Sequence, residues 1–196
     1  MEPKREGKEE LTHRLEAAKS GLTEEQLKEL KALKIAAHHF IDDNHGDSSH
    51  KKYFQDEFIL LRFLISEKFE FEKTLEKWKE WVSWRIQEKM EERKDTDFSD
   101  QMETSKFYHF GFDREKRPIL IFKGARHIPD PDTFDHCVDF CIYMIEYATR
   151  LSDQVGSGEF IIIYDREGFE RSNTDLEMIK KVFHVISNYY PRRMRE

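Results

Sequence analysis

The stretch Phe160-Ile-Ile-Ile-Tyr-Asp165 is the longest unbroken apolar run of the chain, and it decides the fold. Gly156-Ser-Gly158 precedes it, and Asp165-Arg-Glu-Gly168 closes it. A short run rich in β-branched residues and bounded by turn residues predicts a strand that is buried on both faces. Such a strand belongs to a parallel or mixed sheet flanked by helices. The sequence therefore predicts an α/β fold.

The composition is typical of a water-soluble protein, because 37% of the 196 residues are charged and 38% are hydrophobic. The formal net charge of −7 opposes the phosphate backbone, so we expect no nucleic-acid partner. The first ten residues do not resemble a secretory signal, and no run reaches the ~18 apolar residues of a membrane span. Cys137 and Cys141, the only cysteines, are spaced as reduced core side chains on one helix. We therefore expect a cytoplasmic protein.

The chain divides into three segments that differ in charge and hydrophobic periodicity. Residues 1–22 are charged and lack an apolar stripe, so we expect a flexible tail. Residues 23–100 carry helical periodicity and predict a helical N-terminal region. Residues 101–196 mix strand and helix patterns and predict an α/β domain, of which only the first part is expected here.

Helix-start signals divide the N-terminal region. Thr23 and Gln26 predict a capping box, and Asp56 predicts the N-cap of a later helix. The run 71–90 carries three tryptophans within an apolar stripe. A ligand cage is one interpretation of these rings, but packing between helices is the commoner role of such a stripe. The charged run 91–100 predicts a linker.

The second half alternates between strand and helix signals. Residues 107–123 predict two strands joined by a polar turn. A helix is predicted from Thr133 to about Leu151. Thr174 and Glu177 predict the capping box of a last helix, which ends before a proline.

The sequence contains no motif of a known catalytic or cofactor site. The apolar run that ends in Asp165 resembles the metal-binding strand of a nucleotide hydrolase, but no G-x-x-x-x-G-K-[ST] loop accompanies it. G-x-G-x-x-G, G-x-S-x-G and Cys/His zinc spacings are absent as well. We therefore expect no enzyme and no cofactor, and a turn or hydrogen-bonding role for Asp165. Four histidines lie close together, but their predicted helix faces and loop positions do not favour a metal site; they are His38, His39, His45 and His50.

Three parts of the chain together resemble the CRAL-TRIO lipid-binding domain family. Asp56-Glu-Phe-Ile-Leu-Leu-Arg-Phe-Leu-Ile-Ser-Glu-Lys-Phe-Glu-Phe71, followed by Trp84-Arg85, resembles its helical N-terminal part. Gly111-Phe-Asp-Arg-Glu-Lys-Arg-Pro118 resembles its G-x-D-x-x-G-R-P hairpin. Phe160 to Gly168 resembles its central strand, and Asn188-Tyr-Tyr-Pro-Arg-Arg-Met194 resembles its Y-P-x-R segment.

The resemblance implies an α/β domain with a closed apolar pocket that carries one lipid between membranes. Members exchange phosphatidylinositol and phosphatidylcholine, and others carry retinoids or tocopherol. We accordingly expect a monomer that binds a phospholipid or another hydrophobic ligand and touches membranes transiently. The pocket residues expected from the resemblance are Leu120, Phe122, Cys141, Ile145, Phe160, Ile162 and Tyr164. The alternative, that these are ordinary core residues between sheet and helix, stays open.

The chain departs from the family pattern at several positions. Lys116 replaces the hairpin glycine and predicts a looser turn. Lys68 and Arg192 are the headgroup candidates, but inositol-lipid binders often carry glutamate at the position of Arg192 and arginine at that of Glu67. Phosphatidylcholine binders have hydroxyl residues at the positions of two predicted pocket residues, Phe160 and Ile162. The resemblance therefore implies a ligand less polar than phosphatidylinositol, or a different headgroup placement.

The family domain continues well beyond the Y-P-x-R segment, with further strands and a gate helix. We therefore expect a truncated domain with an open sheet edge. The chain has a basic end formed by Arg192, Arg193 and Arg195. Contact with an anionic membrane and exposure to solvent without a partner are two alternative interpretations of this end. Two other functions remain as alternatives. One is a protein-interaction module linked to membrane trafficking or small-GTPase signalling, and the other is an inactive truncated product.

Overall fold

The structure is a computed structural model that describes residues 15–45 and 50–194, without the side chains of His45 and Lys94. The described chain divides into two compact units, residues 15–94 and residues 95–194. Each unit is described by itself. Most of the tail predicted over residues 1–22, and the side chains of His45 and Arg195, lie outside the described residues.

The first unit is helical. Residues 15–20 are helical, in contrast to the flexible tail that the sequence predicts, and Lys19 forms an ion pair with Glu57 at 2.7 Å. The remaining helices are α1 (Glu24–His45), α2 (Lys51–Phe54), α3 (Glu57–Ser66) and α4 (Phe71–Gln87), followed by a 3-10 turn (Arg93–Asp95).

Helix starts in this unit follow the local chemistry of the sequence. The Thr23 N–H donates to Gln26 Oε1 at 2.9 Å, and the Gln26 N–H donates to Thr23 Oγ1 at 3.2 Å, so the predicted capping box is confirmed. Asp56 accepts from the N–H groups of Phe58 and Ile59, as an N-cap does.

The tryptophan stripe of α4 lies in the core of this unit. Trp78 is fully buried, and its indole N–H donates to the Phe54 carbonyl at 3.1 Å. Trp81 packs edge-on against Phe54 with ring centroids 5.7 Å apart. Because Trp78 and Trp81 are buried and pack against other aromatic side chains of this unit, core packing rather than a ligand cage explains these two rings.

The second unit is a three-stranded mixed sheet with helices, so the predicted α/β architecture is confirmed. Strand order is β1-β2-β3, with β1 antiparallel to β2 and β2 parallel to β3. The elements are α5 (Ser99–Glu103), β1 (Phe107–Phe112), β2 (Pro118–Lys123), α6 (Phe134–Gln154), β3 (Ile161–Asp165) and α7 (Leu176–Tyr189), with 3-10 turns at Gly124–Arg126, Pro131–Thr133 and Arg171–Asn173.

Helix α6 is the crossover between the parallel strands β2 and β3, and it packs on β1 and β2. Phe107 of β1 meets Phe140 of α6 edge-on at 6.5 Å between ring centroids, and His109 meets Tyr147 at 5.8 Å. Helix α7 packs on α6 in turn. The side chains of α6 are therefore buried on most of its circumference, including Cys137, Cys141 and Ile145.

Strand β3 is less buried than the sequence predicts. Phe160, just before the strand, is fully buried, but Ile163 and Tyr164 are 45% and 44% exposed. The prediction of a strand buried on both faces is wrong for this part. The reason is that α6 packs on β1 and β2, whereas the pairing of β3 with β2 and the bridge between Phe160 and Met194 lie in the plane of the sheet and cover neither face. No helix in the described part of the chain is long and apolar enough to cross a membrane.

Candidate functional site

The sheet places most of the predicted pocket residues on one face. Leu120 lies opposite Ile162 in the parallel register, and Phe122 lies opposite Tyr164. Because side chains alternate along a strand, these four point to the same face, which is the face that α6 covers over β1 and β2. We call this face the α6 side of the sheet.

Exposure increases across the α6 side of the sheet from β2 to β3. Leu120 is fully buried and Phe122 is 9% exposed, whereas Tyr164 is 44% exposed. Phe122 packs on Phe107 at 5.5 Å and on Tyr164 at 5.6 Å between ring centroids. The apolar surface of β2 is thus used in the core, while that of β3 remains accessible.

The other predicted pocket residues lie deep in the unit. Phe160 and Ile145 are fully buried, and Cys141 is 2% exposed. The Phe160 N–H donates to the Arg193 carbonyl at 2.8 Å, so the start of β3 is fixed by the segment after α7. These positions match the alternative of core packing in the sequence analysis, whereas Ile162 and Tyr164 present apolar surface outward.

Gly124, directly after β2, makes room for the exposed rings of this face. A Cβ atom at this position would lie 2.9 Å from Tyr164 Oη and 2.8 Å from Phe169 Cδ2. Tyr164 and Phe169 are themselves in edge contact at 6.2 Å. The glycine therefore allows the Tyr164 ring to lie across the end of β2.

The headgroup candidates Lys68 and Arg192 lie in different units, one after α3 and the other after α7. Both side chains are exposed, and both residues have left-handed backbone conformations, with φ of 55° and 53°. Glu67, where inositol-lipid binders often carry arginine, pairs with Lys77. Hydrogen bonding from Lys77 holds the pKa of the Glu67 carboxyl below its usual value, so its negative charge is offset locally.

The Y-P-x-R segment contains two anchoring contacts that the sequence analysis missed. The Tyr190 hydroxyl donates to Glu146 Oε2 at 2.9 Å. Arg193, which the sequence analysis placed at a basic end, is 4% exposed; it forms an ion pair with Asp153 of α6 and donates to the Gly158 carbonyl at 3.2 Å. The sequence signal that could have predicted these anchoring contacts is the presence of tyrosine and arginine at fixed positions of a family motif.

The hairpin between β1 and β2 is tight despite Lys116. The Lys116 N–H donates to the Asp113 carbonyl at 3.1 Å, and the Asp113 N–H donates to the Arg117 carbonyl at 3.0 Å. Asp113 Oδ1 also accepts from the N–H groups of Glu115 and Arg117. The expected looser turn is wrong, because Lys116 adopts the left-handed conformation, with φ of 61°, that glycine would otherwise supply.

Asp165 ends β3 in the turn role that the sequence predicts. Its Oδ1 accepts from the Glu167 N–H at 2.9 Å, and its carboxylate lies 3.7 Å from Lys123 Nζ. Within residues 15–45 and 50–194, no group of three or more His, Cys, Asp or Glu side chains is arranged to hold a metal ion.

The second unit is an α/β domain, a mixed sheet with a helical crossover and a partly exposed apolar strip at β3. Residues 102–196 match the model of the CRAL/TRIO domain family. A CRAL-TRIO domain-containing protein of Schizosaccharomyces pombe is 26% identical over 147 residues, which cover 70% of this chain and 33% of that protein. A phosphatidylinositol/phosphatidylcholine transfer protein of Arabidopsis thaliana is 36% identical over 100 residues, covering 47% of this chain and 17% of that protein. The chain thus spans a third or less of the length of these curated relatives.

Proposed function

We propose that this chain binds a phospholipid or another small hydrophobic ligand on the α6 side of its sheet and carries it between membranes. The observation that carries the proposal is the accessible apolar strip of β3, where Ile162 and the 44% exposed Tyr164 continue the buried row of Leu120 and Phe122. The match of residues 102–196 to the CRAL/TRIO domain family and the name of the Arabidopsis relative support the ligand class.

The mechanism is a balance between two apolar environments. Each methylene of an acyl chain gains about 0.8 kcal/mol on leaving water, whether it enters a bilayer or a protein surface lined with Ile, Phe and Tyr. A ligand of this kind is therefore exchanged at little net free-energy difference, and the chain acts as a carrier rather than a catalyst. Under this proposal it is a cytoplasmic monomer that contacts membranes only during exchange.

The buried residues of the predicted pocket support the proposed site by packing in the core beneath the sheet surface. Phe160, Ile145 and Cys141 hold β3 and α6 in place, and the contact with the acyl chain falls on Ile162, Tyr164 and the edge of Phe122. Within the α/β unit, Arg192, whose side chain is exposed, is the headgroup candidate. An apolar strand with no hydroxyl at positions 160 and 162 favours a ligand less polar than phosphatidylinositol.

Two neighbouring residues provide a matched test. Tyr164 and Ile163 are 44% and 45% exposed, and they lie on opposite faces of the same strand. We expect Tyr164→Asp to abolish ligand binding, because it places a carboxylate against the acyl chain, whereas Ile163→Asp retains it. Native mass spectrometry of each purified chain after incubation with phosphatidylcholine vesicles measures the bound fraction.

Equal binding by the two variants would contradict the assignment of the face. A wild-type chain that takes up neither phosphatidylcholine, phosphatidylinositol nor retinoid would overturn the lipid proposal. The protein-interaction alternative would then take its place. Circular dichroism of both variants controls for folding.

A further inference from the structure

Four reactive or titratable side chains meet at the buried start of α6, away from the accessible strip of β3. Cys137 is 5% exposed, Lys106 is 5% exposed and His127 is 3% exposed. Lys106 comes directly before β1, His127 follows the 3-10 turn after β2, and Cys141 lies one helical turn beyond Cys137. Three separate parts of the unit thus contribute side chains to one buried cluster.

The Lys106 ammonium has the Cys137 sulfur as its hydrogen-bond acceptor, with Nζ and Sγ 3.3 Å apart. A buried ammonium is costly unless an anion or several acceptors compensate for its lost hydration. The Asp175 carboxylate, which also belongs to this cluster, is engaged by His127 Nε2 at 3.1 Å and by the Met178 N–H at 2.9 Å. Cys137 in its thiolate form is therefore the counterion that the geometry provides for Lys106.

His127 is a further member of the buried cluster around Cys137. The Nδ1 atom of His127 is buried and has no hydrogen-bond partner among the described residues, while its Nε2 atom is held by Asp175. Hydrogen bonding from the Cys141 thiol, which is the largest effect, together with the nearby His127 ring and the charge of Lys106, lowers the pKa of the Cys137 thiol. The same contact, together with burial, raises the pKa of the Cys141 thiol.

We propose that Cys137 is a covalent modification site of this protein, a thiolate held by the buried Lys106 ammonium that reacts with small electrophiles such as alkylating agents and peroxides. A neighbouring ammonium favours the thiolate, which is the reactive form of cysteine. The proposal does not depend on the ligand site, because the residues proposed to contact the acyl chain, Ile162 and Tyr164, are not part of the cluster.

Reaction with hydrogen peroxide is a two-electron oxidation. The thiolate sulfur attacks one peroxide oxygen, an S–O bond forms as the O–O bond breaks, and the second oxygen leaves as hydroxide, which takes a proton from solvent to become water. Cys137 becomes a sulfenic acid. Positions four apart on an intact helix have Cβ atoms about 5–6 Å apart, farther than a disulfide allows, so Cys141 does not form a disulfide with it.

Oxidation or alkylation would remove the charge that compensates Lys106. The Cys137 sulfur also lies 3.6 Å from Met178 Sδ in the first turn of α7. Modification is therefore expected to loosen the packing of α7 on α6 and to lower the melting temperature of the modified chain.

Alkylation by iodoacetamide as a function of pH tests the proposal on the intact chain. The two cysteines lie on one peptide but are distinguished by fragmentation in mass spectrometry. We expect Cys137 to be modified and Cys141 to stay free, with a wild-type rate that changes less than about twofold between about pH 8 and pH 6. An ordinary thiol loses about tenfold in rate per pH unit over this range, because its thiolate fraction falls with pH.

Two variants test whether the charge of Lys106 causes the weak pH dependence of Cys137 alkylation. Lys106→Met keeps the aliphatic stem and removes the charge, so its Cys137 rate should fall as pH is lowered. Lys123→Met removes a lysine of the same sheet that pairs with Asp165 and should keep the wild-type profile. Trapping with dimedone after brief exposure to hydrogen peroxide should label Cys137 alone.

Three results would overturn the proposal: no modification of the folded wild-type chain, modification of Cys141 in preference to Cys137, or a wild-type rate that falls tenfold per pH unit. The wild-type profile decides the question even if Lys106→Met does not fold.

Discussion

Lys116 illustrates how a single residue departs from a family pattern at a cost in stability. It holds a left-handed backbone conformation in the hairpin turn, which costs a non-glycine residue about 1–2 kcal/mol. Its N–H still closes the turn on Asp113. The loop therefore keeps its geometry while the strain is confined to one residue.

We expect Lys116→Gly to raise the free energy of unfolding by up to about 1 kcal/mol, because relief of strain exceeds the added entropy of the unfolded chain. Lys116→Ala is the matched control, since it removes the same side chain but keeps the Cβ atom, and it should bring no such gain. Urea unfolding followed by circular dichroism measures both. A glycine variant less stable than the alanine variant would contradict the strain argument.

Local chemistry at helix starts is the part of the structure that single residues predict best. The box of Thr23 with Gln26 and the cap at Asp56 follow from side chains that bond backbone N–H groups a few residues away. The predicted box of Thr174 with Glu177 is wrong. Asp175 caps α7 instead, by accepting from the Met178 N–H, because a carboxylate one residue later competes for the same donors.

At the scale of elements, the segment after α7 is fixed by buried polar contacts. Arg193 pairs with Asp153 near the end of α6 and bonds the Gly158 carbonyl, while its own carbonyl accepts from the Phe160 N–H. Gly158 has φ of 67°, so the turn that presents this carbonyl needs a glycine. The contacts set where β3 begins.

We expect Arg193→Met to lower the free energy of unfolding by about 3 kcal/mol, because it leaves Asp153 without its partner and the Gly158 carbonyl without its donor. Arg192→Met changes the neighbouring exposed arginine and should cost well under 1 kcal/mol. Thermal unfolding of the two variants compares them. Similar losses in both would show that the ion pair does not anchor β3.

The order and type of the elements were predictable from the sequence, and the exposure of β3 was not. Periodicity and turn residues mark β1, β2, α6, β3 and α7, since these signals are local. Whether Ile163 and Tyr164 are buried depends on which elements from elsewhere in the chain pack on β3. The apolar run itself does not predict those elements. For the same reason the sequence could not separate core positions such as Phe160 from accessible ones such as Tyr164.

At the scale of the whole molecule, both proposed sites lie in the α/β unit. The apolar strip is on β3, and Cys137 with its neighbours Lys106 and His127 belongs to the same unit. The proposed ligand site and the proposed modification site therefore depend on one sheet and its crossover helix.

Photocrosslinking would show whether the ligand lies on the α6 side of the sheet at β3. The wild-type chain is irradiated with a phosphatidylcholine that carries a diazirine in its acyl chain, and the adducts are located by peptide mass spectrometry. We expect adducts at Ile162 and Tyr164. Adducts at Ile161 and Ile163 instead, on the opposite face of the same strand, would contradict it.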